Sequence, residues 1–175
     1  MKGNINLFEA EIMQGFIKQN NFKSIFEIGT FDGYSALKMS EADPDAKIYT
    51  LDLPDGTIPD GLSWDDKDNI RRLYTANTYT LGKLIKGVKN VTQLYGNSLE
   101  FDFKPYFDKI DMVFVDGAHT WKYVKSDSAN ALKMVKAGGI VLWHDYTVLH
   151  PEVWFYLKRM GIQKIKGTTI GILKK

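Results

Sequence analysis

Several short polar clusters, each following an apolar run, hold the residue types that could do chemistry in this chain. The first is Phe26-Glu27-Ile28-Gly29-Thr30-Phe31-Asp32-Gly33-Tyr34-Ser35. Gly29 and Gly33 allow a sharp turn and a close approach to a ligand, and a helix starting after them would aim its free N–H groups at a carboxylate. Glu27, ahead of the first glycine, suits a ligand with a positive amino group. A dinucleotide fingerprint would need another glycine where Phe31 stands, and this ring would obstruct a pyrophosphate, which argues against nicotinamide or flavin. The second cluster is Tyr49-Thr50-Leu51-Asp52, with Leu53 behind it. A carboxylate at that strand end accepts hydrogen bonds from both hydroxyls of a ribose, the alternative being a solvated turn aspartate. Gly96-Asn97-Ser98 offers amide and hydroxyl groups suited to the edge of an adenine. Finally, Val115-Asp116-Gly117-Ala118-His119 and Trp143-His144-Asp145-Tyr146 close two further apolar runs and would be neighbours if those runs lie side by side.

The elements that must position these residues are legible in the apolar pattern. Leu7, Phe8, Ile12, Phe16 and Ile17 recur at helical spacing, which predicts an amphipathic helix ending near Asn20 and Asn21. Buried strands are expected at Ser24–Ile28, Lys47–Leu51, Val91–Tyr95, Met112–Val115 and Ile140–Trp143. Helical patterns lie between most of them, at Tyr34–Ser40 and from Trp121 through Val135. The second of these is expected to stop at Gly138 and Gly139, with Lys133 and Lys136 in its last turn. Strands alternating with helices imply a parallel sheet covered on both faces and wound right-handed. Ligands bind such a sheet at the carboxyl ends of its strands, where all the clusters fall. After a helix over Pro151–Arg159, the runs Ile162–Ile165 and Thr169–Leu173 are separated only by Lys166-Gly167-Thr168. That short connection predicts a hairpin and therefore one antiparallel strand.

Composition narrows the function. At 175 residues, with 44% hydrophobic and 25% charged residues, one globular domain spanning the whole chain is expected. The formal charge of +2 supplies no broad field for nucleic acid, so a small-molecule substrate is the better expectation. The chain has no cysteine, which excludes disulfides, thiolate metal sites and cysteine nucleophiles. No apolar run is long enough for a membrane span or a signal peptide, and a cytoplasmic protein is the default expectation. Residues 53–90 form a connection longer than the scaffold requires, with Pro54, Gly56, Pro59 and Gly61 ahead of a helix capped by Ser63. Such a segment is either a lid or acceptor-binding insertion, or an ordinary crossover with a decorated start.

Together these segments resemble the class I S-adenosylmethionine-dependent methyltransferases, and more closely the small-molecule O-methyltransferases that include catechol O-methyltransferase. The resemblance runs from about Ser24 to Tyr146. Its most specific part is Glu27 to Ala36, which looks like the E-x-G-x-x-x-G-Y-S-A segment of that group. The resemblance implies a Rossmann-like, doubly wound α/β fold with a seven-stranded sheet, its last strand antiparallel, and S-adenosylmethionine as cofactor. It places Glu27, Gly29, Thr30, Phe31, Gly33, Tyr34 and Ser35 at the methionine part, Asp52 and Leu53 at the ribose, Asn97 and Ser98 at the adenine, and Asp116 beside the cofactor. In the metal-dependent members, an acid matching Asp116 and an Asp-Asn pair matching His144 and Asp145 hold magnesium. Histidine in place of that aspartate departs from the pattern, and the mixed set suits manganese, iron or zinc as readily. Alternatively no metal binds and His144 simply hydrogen-bonds Asp116. His119 aligns with the lysine that acts as general base in the catechol enzymes, and an imidazole with its pKa of about 6.5 can accept a substrate proton near neutral pH. As an alternative, His119 caps the helix beginning near Trp121. His150, in a turn beside Pro151, is assigned no role. Asp116 and His119 are therefore the expected catalytic residues and Asp116, His144 and Asp145 the expected metal ligands. The reading is O-methylation of a small hydroxylated acceptor. Two alternatives stand beside it: a metal-independent methyltransferase, and a non-catalytic domain that only binds the cofactor. Relative to the catechol enzymes the N-terminal region is short, so residues 53–90 or a second subunit of a homo-oligomer would cover the site.

Overall fold

The computed structural model describes residues 5–54, 57, 58, 62, 67 and 80–175. Four helices and seven strands are defined among them: α1 (Leu7–Asn20), β1 (Ser24–Ile28), α2 (Tyr34–Ala42), β2 (Lys47–Asp52), β3 (Val91–Tyr95), β4 (Ile110–Val115), α3 (Trp121–Met134), β5 (Val135–Trp143), α4 (Pro151–Arg159), β6 (Gln163–Lys164) and β7 (Gly171–Lys174). The strands form one sheet in the order β3-β2-β1-β4-β5-β7-β6. β1 to β5 run parallel, and β7 lies antiparallel to β5 and to β6. The sheet is thus the expected doubly wound one with an antiparallel strand near its end. Strand order reverses between β1 and β4, the switch point at which such sheets bind ligands.

Alternation along the central strands makes two cores. Ile25, Met112, Phe114, Ile140 and Leu142 face α1 and α2, where they meet Met13, Ile17, Ala36 and Met39. Phe26, Ile28, Val113, Val115, Val141 and Trp143 face the other way, onto Val124, Ala131 and Met134 of α3 and Val153 and Leu157 of α4. Neither face of β4 meets water, which is why its run Ile110 to Val115 is apolar at every position but Asp111. Trp143, fully buried, satisfies its indole N–H on Ser128 Oγ at 2.9 Å.

The boundary between α3 and β5 differs from the expectation. The helix stops at Met134, not at the glycines, and Val135 already has extended backbone (φ −68°, ψ 131°) and pairs with Ile110. A β-branched residue suits that conformation, and the register with β4 shifts between Ile110 and Met112 to absorb the residues that follow. Lys136 consequently leaves the helix end and reaches Asp111 at 2.5 Å. Gly138 turns with φ +81°, and Gly139 packs so closely that a Cβ would sit 2.5 Å from the Asp111 carbonyl oxygen. The terminal hairpin is shorter than its apolar runs, because the Ile162 amide is taken by Leu157 and Tyr146 N–H bonds the Thr169 carbonyl.

α1 is fixed by a reciprocal cap. Asn6 Oδ1 accepts from the Glu9 amide at 3.0 Å, and Glu9 Oε2 accepts from the Asn6 amide at 3.1 Å. The same Glu9, almost fully buried, accepts from the Thr169 amide and hydroxyl at 2.7 and 2.9 Å. The first helix is thereby tied to the hairpin and, through it, to the ends of β4 and β5. No described helix is long and apolar enough to cross a membrane.

If the Gly139 contact sets the β4–β5 register, Gly139→Ala should destabilise the protein by about 1–3 kcal/mol, the usual cost of forcing extra volume into a packed interior. Equilibrium denaturant melts measure this, and Gly138→Ala, whose Cβ would meet nothing within 4 Å, isolates the cost of positive φ alone.

Candidate active site

The loop after β1 is shaped by its own neighbours. Gly29 has φ +99°, and a Cβ there would lie 2.0 Å from the Asp116 carbonyl oxygen. Its lack of a side chain is demanded by the end of β4, a demand beside the ligand's close approach that the sequence suggested. Gly33, at φ +88°, faces Ile85 at 3.0 Å from the same hypothetical atom. Phe31 is also left-handed, at φ 50°. Such backbone costs roughly 1–3 kcal/mol. Asp52 offsets it: its Oδ2 accepts the amides of Thr30 and Phe31 at 2.8 and 2.9 Å, and Oδ1 that of Leu53 at 2.7 Å. Hydrogen bonds to an ionised acceptor are about twice as strong as neutral ones. Asp52 is therefore a buttress of the loop and not the solvated turn aspartate that stood as the alternative reading.

Beneath the loop lies Glu27, which is completely buried. The Ser35 hydroxyl donates to one of its oxygens and the Thr50 hydroxyl to the other, the latter at 2.5 Å. Gln93 Nε2 continues the network to Thr30 Oγ1 at 3.0 Å. Burial pushes the Glu27 carboxyl up to about 8, against the two hydroxyl bonds and with help from the Asp116 and Asp52 charges. Glu27 and Ser35 brace the loop from below, and Tyr34 starts α2 with its amide on Asp32 Oδ1 at 3.2 Å. Of the long connection, residues 80–90 are scaffold: Gly82 and Leu84 donate their amides to the Phe31 and Asp32 carbonyls at 2.8 and 3.0 Å. Most of Pro54 to Ser63, and the helix expected after it, lie outside the described residues.

At the end of β3, Asn97 Oδ1 accepts from the Leu99 amide at 3.1 Å, and the Gly96 amide bonds the Asp52 carbonyl at 2.9 Å. This joins the third cluster to the second. Behind Ser98 lies Asp127, fully buried on α3, its carboxyl pushed up to about 7 by burial, with the Ser98 hydroxyl acting in the opposite sense. The sequence reading passed over Asp127. Its signal was an acid on the apolar face that carries Val124, Ser128 and Ala131.

The ends of β4 and β5 come together as expected, with more members than expected. His144 Nδ1 lies 3.0 Å from Asp116 Oδ1 and 3.4 Å from Asp145 Oδ2, and its Nε2 lies 3.5 Å from Glu9 Oε2. Burial opposes a charge on His144, but Asp116, Asp145 and Glu9 outweigh it and hold the ring well above the usual histidine range. His119 Nε2 lies 2.9 Å from Asp145 Oδ2. His150 Nε2 lies 3.5 Å from Asp145 Oδ1, and its ring centre is 4.2 Å from that of His119. Burial likewise opposes ionisation of Asp145, and bonds with His119 and His144 hold its carboxyl well below the ordinary range. Asp145 itself is left-handed, at φ 56°. The helix after His119 takes Thr120 as its N-cap, and its Trp121 amide is met by Glu152. Donor atoms of Asp116, His144 and Asp145 all lie within 4.8 Å of one another. Glu9 and His150 were the residues missed. Glu9 carried only the signal of an acid three residues after Asn6, a helix-capping spacing, and His150 meets its partners only once β5 and α4 are in place.

A family model described as a methyltransferase domain matches residues 26–146. Among solved structures the chain is similar to the O-methyltransferase TomG of Streptomyces achromogenes, involved in tomaymycin synthesis and solved with SAM. That match has 20% identity and a TM-score of 0.63, and covers 97% of this chain and 80% of the other. It is also similar to an SAH-bound methyltransferase of Podospora anserina, at 17% identity and a TM-score of 0.64, covering 98% of this chain and 80% of that one. These likenesses show the fold. Comparison with curated proteins gives no match.

The buried Glu27 generates a pH prediction. With its carboxyl raised from 4.5 to about 8, the unfolded chain releases this proton first, so stability contributed at low pH is lost as pH rises across that window. Glu27→Gln should flatten the slope and raise stability at the alkaline end. Urea melts at either end of the window read the outcome, and an unchanged slope would mean that Glu27 ionises freely in the folded protein.

Proposed function

The chain belongs to the methyltransferase domain family, and from that premise we propose that it transfers the methyl group of S-adenosylmethionine to an oxygen of a small hydroxylated acceptor, with His119 as general base. The observation that carries the reading is the His119–Asp145 pair, 2.9 Å apart at the strand ends beside the switch point. S-adenosylmethionine, when bound, supplies a methyl group on a sulfonium that is already a good leaving group. The protein's task is to align the two partners and to take the acceptor's proton.

The residues fit the donor. Gly33, the N-cap of α2, has no side chain to cap it, and the first turn carries no acid, which leaves a positive end for the methionine carboxylate. Thr30, Phe31, Tyr34 and Ser35 form the turn around it, with Glu27 held beneath. Asp52 serves the ribose hydroxyls from the same carboxylate that holds the loop, so donor binding and loop shape are coupled. Asn97 and Ser98 lie at the end of β3, where the adenine edge falls. In this reading Asp145 accepts from His119 Nε2–H. It thereby fixes the tautomer whose Nδ1 carries the lone pair, and it stabilises the imidazolium once the proton has moved. Asp116 holds His144 beside this pair and packs against Gly29 through its carbonyl.

A second reading adds a divalent ion, favoured by the donor atoms of Asp116, His144 and Asp145 within 4.8 Å. Two carboxylates and an imidazole fit such an ion once it displaces the His144 proton, and these three residues would hold it. An ion there would lower the pKa of a bound hydroxyl.

Asp52→Asn should weaken S-adenosylmethionine binding strongly, each hydrogen bond to the charge being worth roughly 1.5–3 kcal/mol. Calorimetric titration of the folded variant checks this, and unchanged affinity would remove Asp52 from the ribose. His119→Ala should lower kcat by about 10²- to 10⁴-fold with a smaller change in KM, measured by release of S-adenosylhomocysteine from a panel of hydroxylated acceptors. Chelation should abolish turnover on the second reading and do nothing on the first. Transfer that survives both treatments would take this cluster out of the mechanism.

A further inference from the structure

His119, Asp145 and His150 form a second convergent set, in which the transfer has no use for His150. Their donor atoms also lie within 4.8 Å of one another. Each oxygen of the Asp145 carboxylate faces one imidazole: Oδ2 faces His119 Nε2 at 2.9 Å and Oδ1 faces His150 Nε2 at 3.5 Å. In a tetrahedral zinc site, bonds to nitrogen and oxygen put neighbouring donors about 3.4 Å apart, so both separations are close to that spacing already. All three side chains keep 21–34% of their surface exposed, which gives an ion a path in and open positions once bound.

The backbone holds the set in place. The Thr147 amide bonds the Asp145 carbonyl at 2.7 Å and the His150 amide bonds the Thr147 carbonyl at 3.1 Å, so the turn from residue 145 to 150 presents both ligands together. His119 arrives independently, from the loop ahead of α3. The neighbouring set, Asp116, His144 and Asp145, has one imidazole and two carboxylates. This one has two imidazoles and one carboxylate, a donor set suited to late first-row ions more than to magnesium or calcium.

We propose that His119, Asp145 and His150 form a binding site for a late first-row divalent cation of the zinc, cobalt or nickel class, separate from the Asp116–His144–Asp145 set except for the shared Asp145. Coordination through His119 Nε2 leaves the ring hydrogen on Nδ1. The imidazole then cannot accept a proton there, so an ion at this site blocks the transfer. That consequence rests on the reading of His119 as base, whereas the binding itself does not.

The test uses Co²⁺ alone, added to the metal-free full chain and followed by its visible absorption, with Zn²⁺ as competitor. Ligand-field bands from a nitrogen- and oxygen-bound ion are expected, displaced by Zn²⁺. His150→Ala should weaken Co²⁺ binding by at least about tenfold, since loss of even an outer-shell partner commonly costs that much. Asp116→Asn, which removes a ligand only of the neighbouring set, should retain the bands. His150→Gln should repeat the loss if the alanine variant unfolds, folding being followed by far-UV circular dichroism. Absence of bands, affinity unchanged in the His150 variants, or loss in Asp116→Asn would each overturn the site. Turnover is measured separately. Zn²⁺ should inhibit the wild type, and at the same ion concentration less so His150→Ala. If no methyl transfer occurs in any condition while the cobalt spectra behave as stated, the functional reading fails and the cation site stands.

Discussion

A single ionised carboxylate, that of Asp145, organises the functional end of the sheet. The chain has three histidines, and each brings a ring nitrogen to within 3.5 Å of it. They arrive from separate places: His144 from the end of β5, His119 from the loop before α3 and His150 from the start of α4. A partly buried negative charge needs donors around it, and these imidazoles supply them. The left-handed backbone at Asp145, φ 56°, is the local cost of pointing one acid at all three.

The acids around this end are differentiated by environment. Glu27 accepts from two hydroxyls in a buried setting, and its carboxyl is raised to about 8. Glu9 is as little exposed, but the His144 ring, the Thr169 and Asn6 amides and the Thr169 hydroxyl overcome the penalty of burial and bring it down to about 2. One is built to be neutral and brace a loop; the other is built to be charged and hold a cation. Asp52 differs from both, because its charge holds the Thr30 and Phe31 amides of a loop that is left-handed at Phe31. Loop shape and the β1–β4 contact at Gly29 are thus parts of one arrangement.

The strands were legible because a two-faced sheet forces apolar residues into short continuous runs, and the polar clusters were legible because they follow those runs. The break between α3 and β5 was not. Val135 satisfies a helical face and a strand equally, and only pairing with Ile110 decides between them. Gly29 was read from a ligand's close approach, and the structure adds a demand that sequence does not show, the Asp116 carbonyl where a side chain would stand. His144, read as either a metal ligand or a partner of Asp116, is found against Asp116 and also Glu9, more than a hundred positions earlier. Contacts of that separation leave no periodic trace. Asp127, by contrast, left a trace as an acid on the apolar face of α3.

The Glu9 clamp has a consequence for how the molecule comes into being. Thr169 follows Glu9 by 160 positions, so the carboxylate waits for its partner while nearly everything between them is synthesised. α1 can form early on a ribosome-bound chain, since its cap is local. The surroundings of His144 cannot, because Glu9 is not anchored until the hairpin is out of the exit tunnel. A nascent chain would carry the loop after β1 well before it carried a finished cluster at β4 and β5.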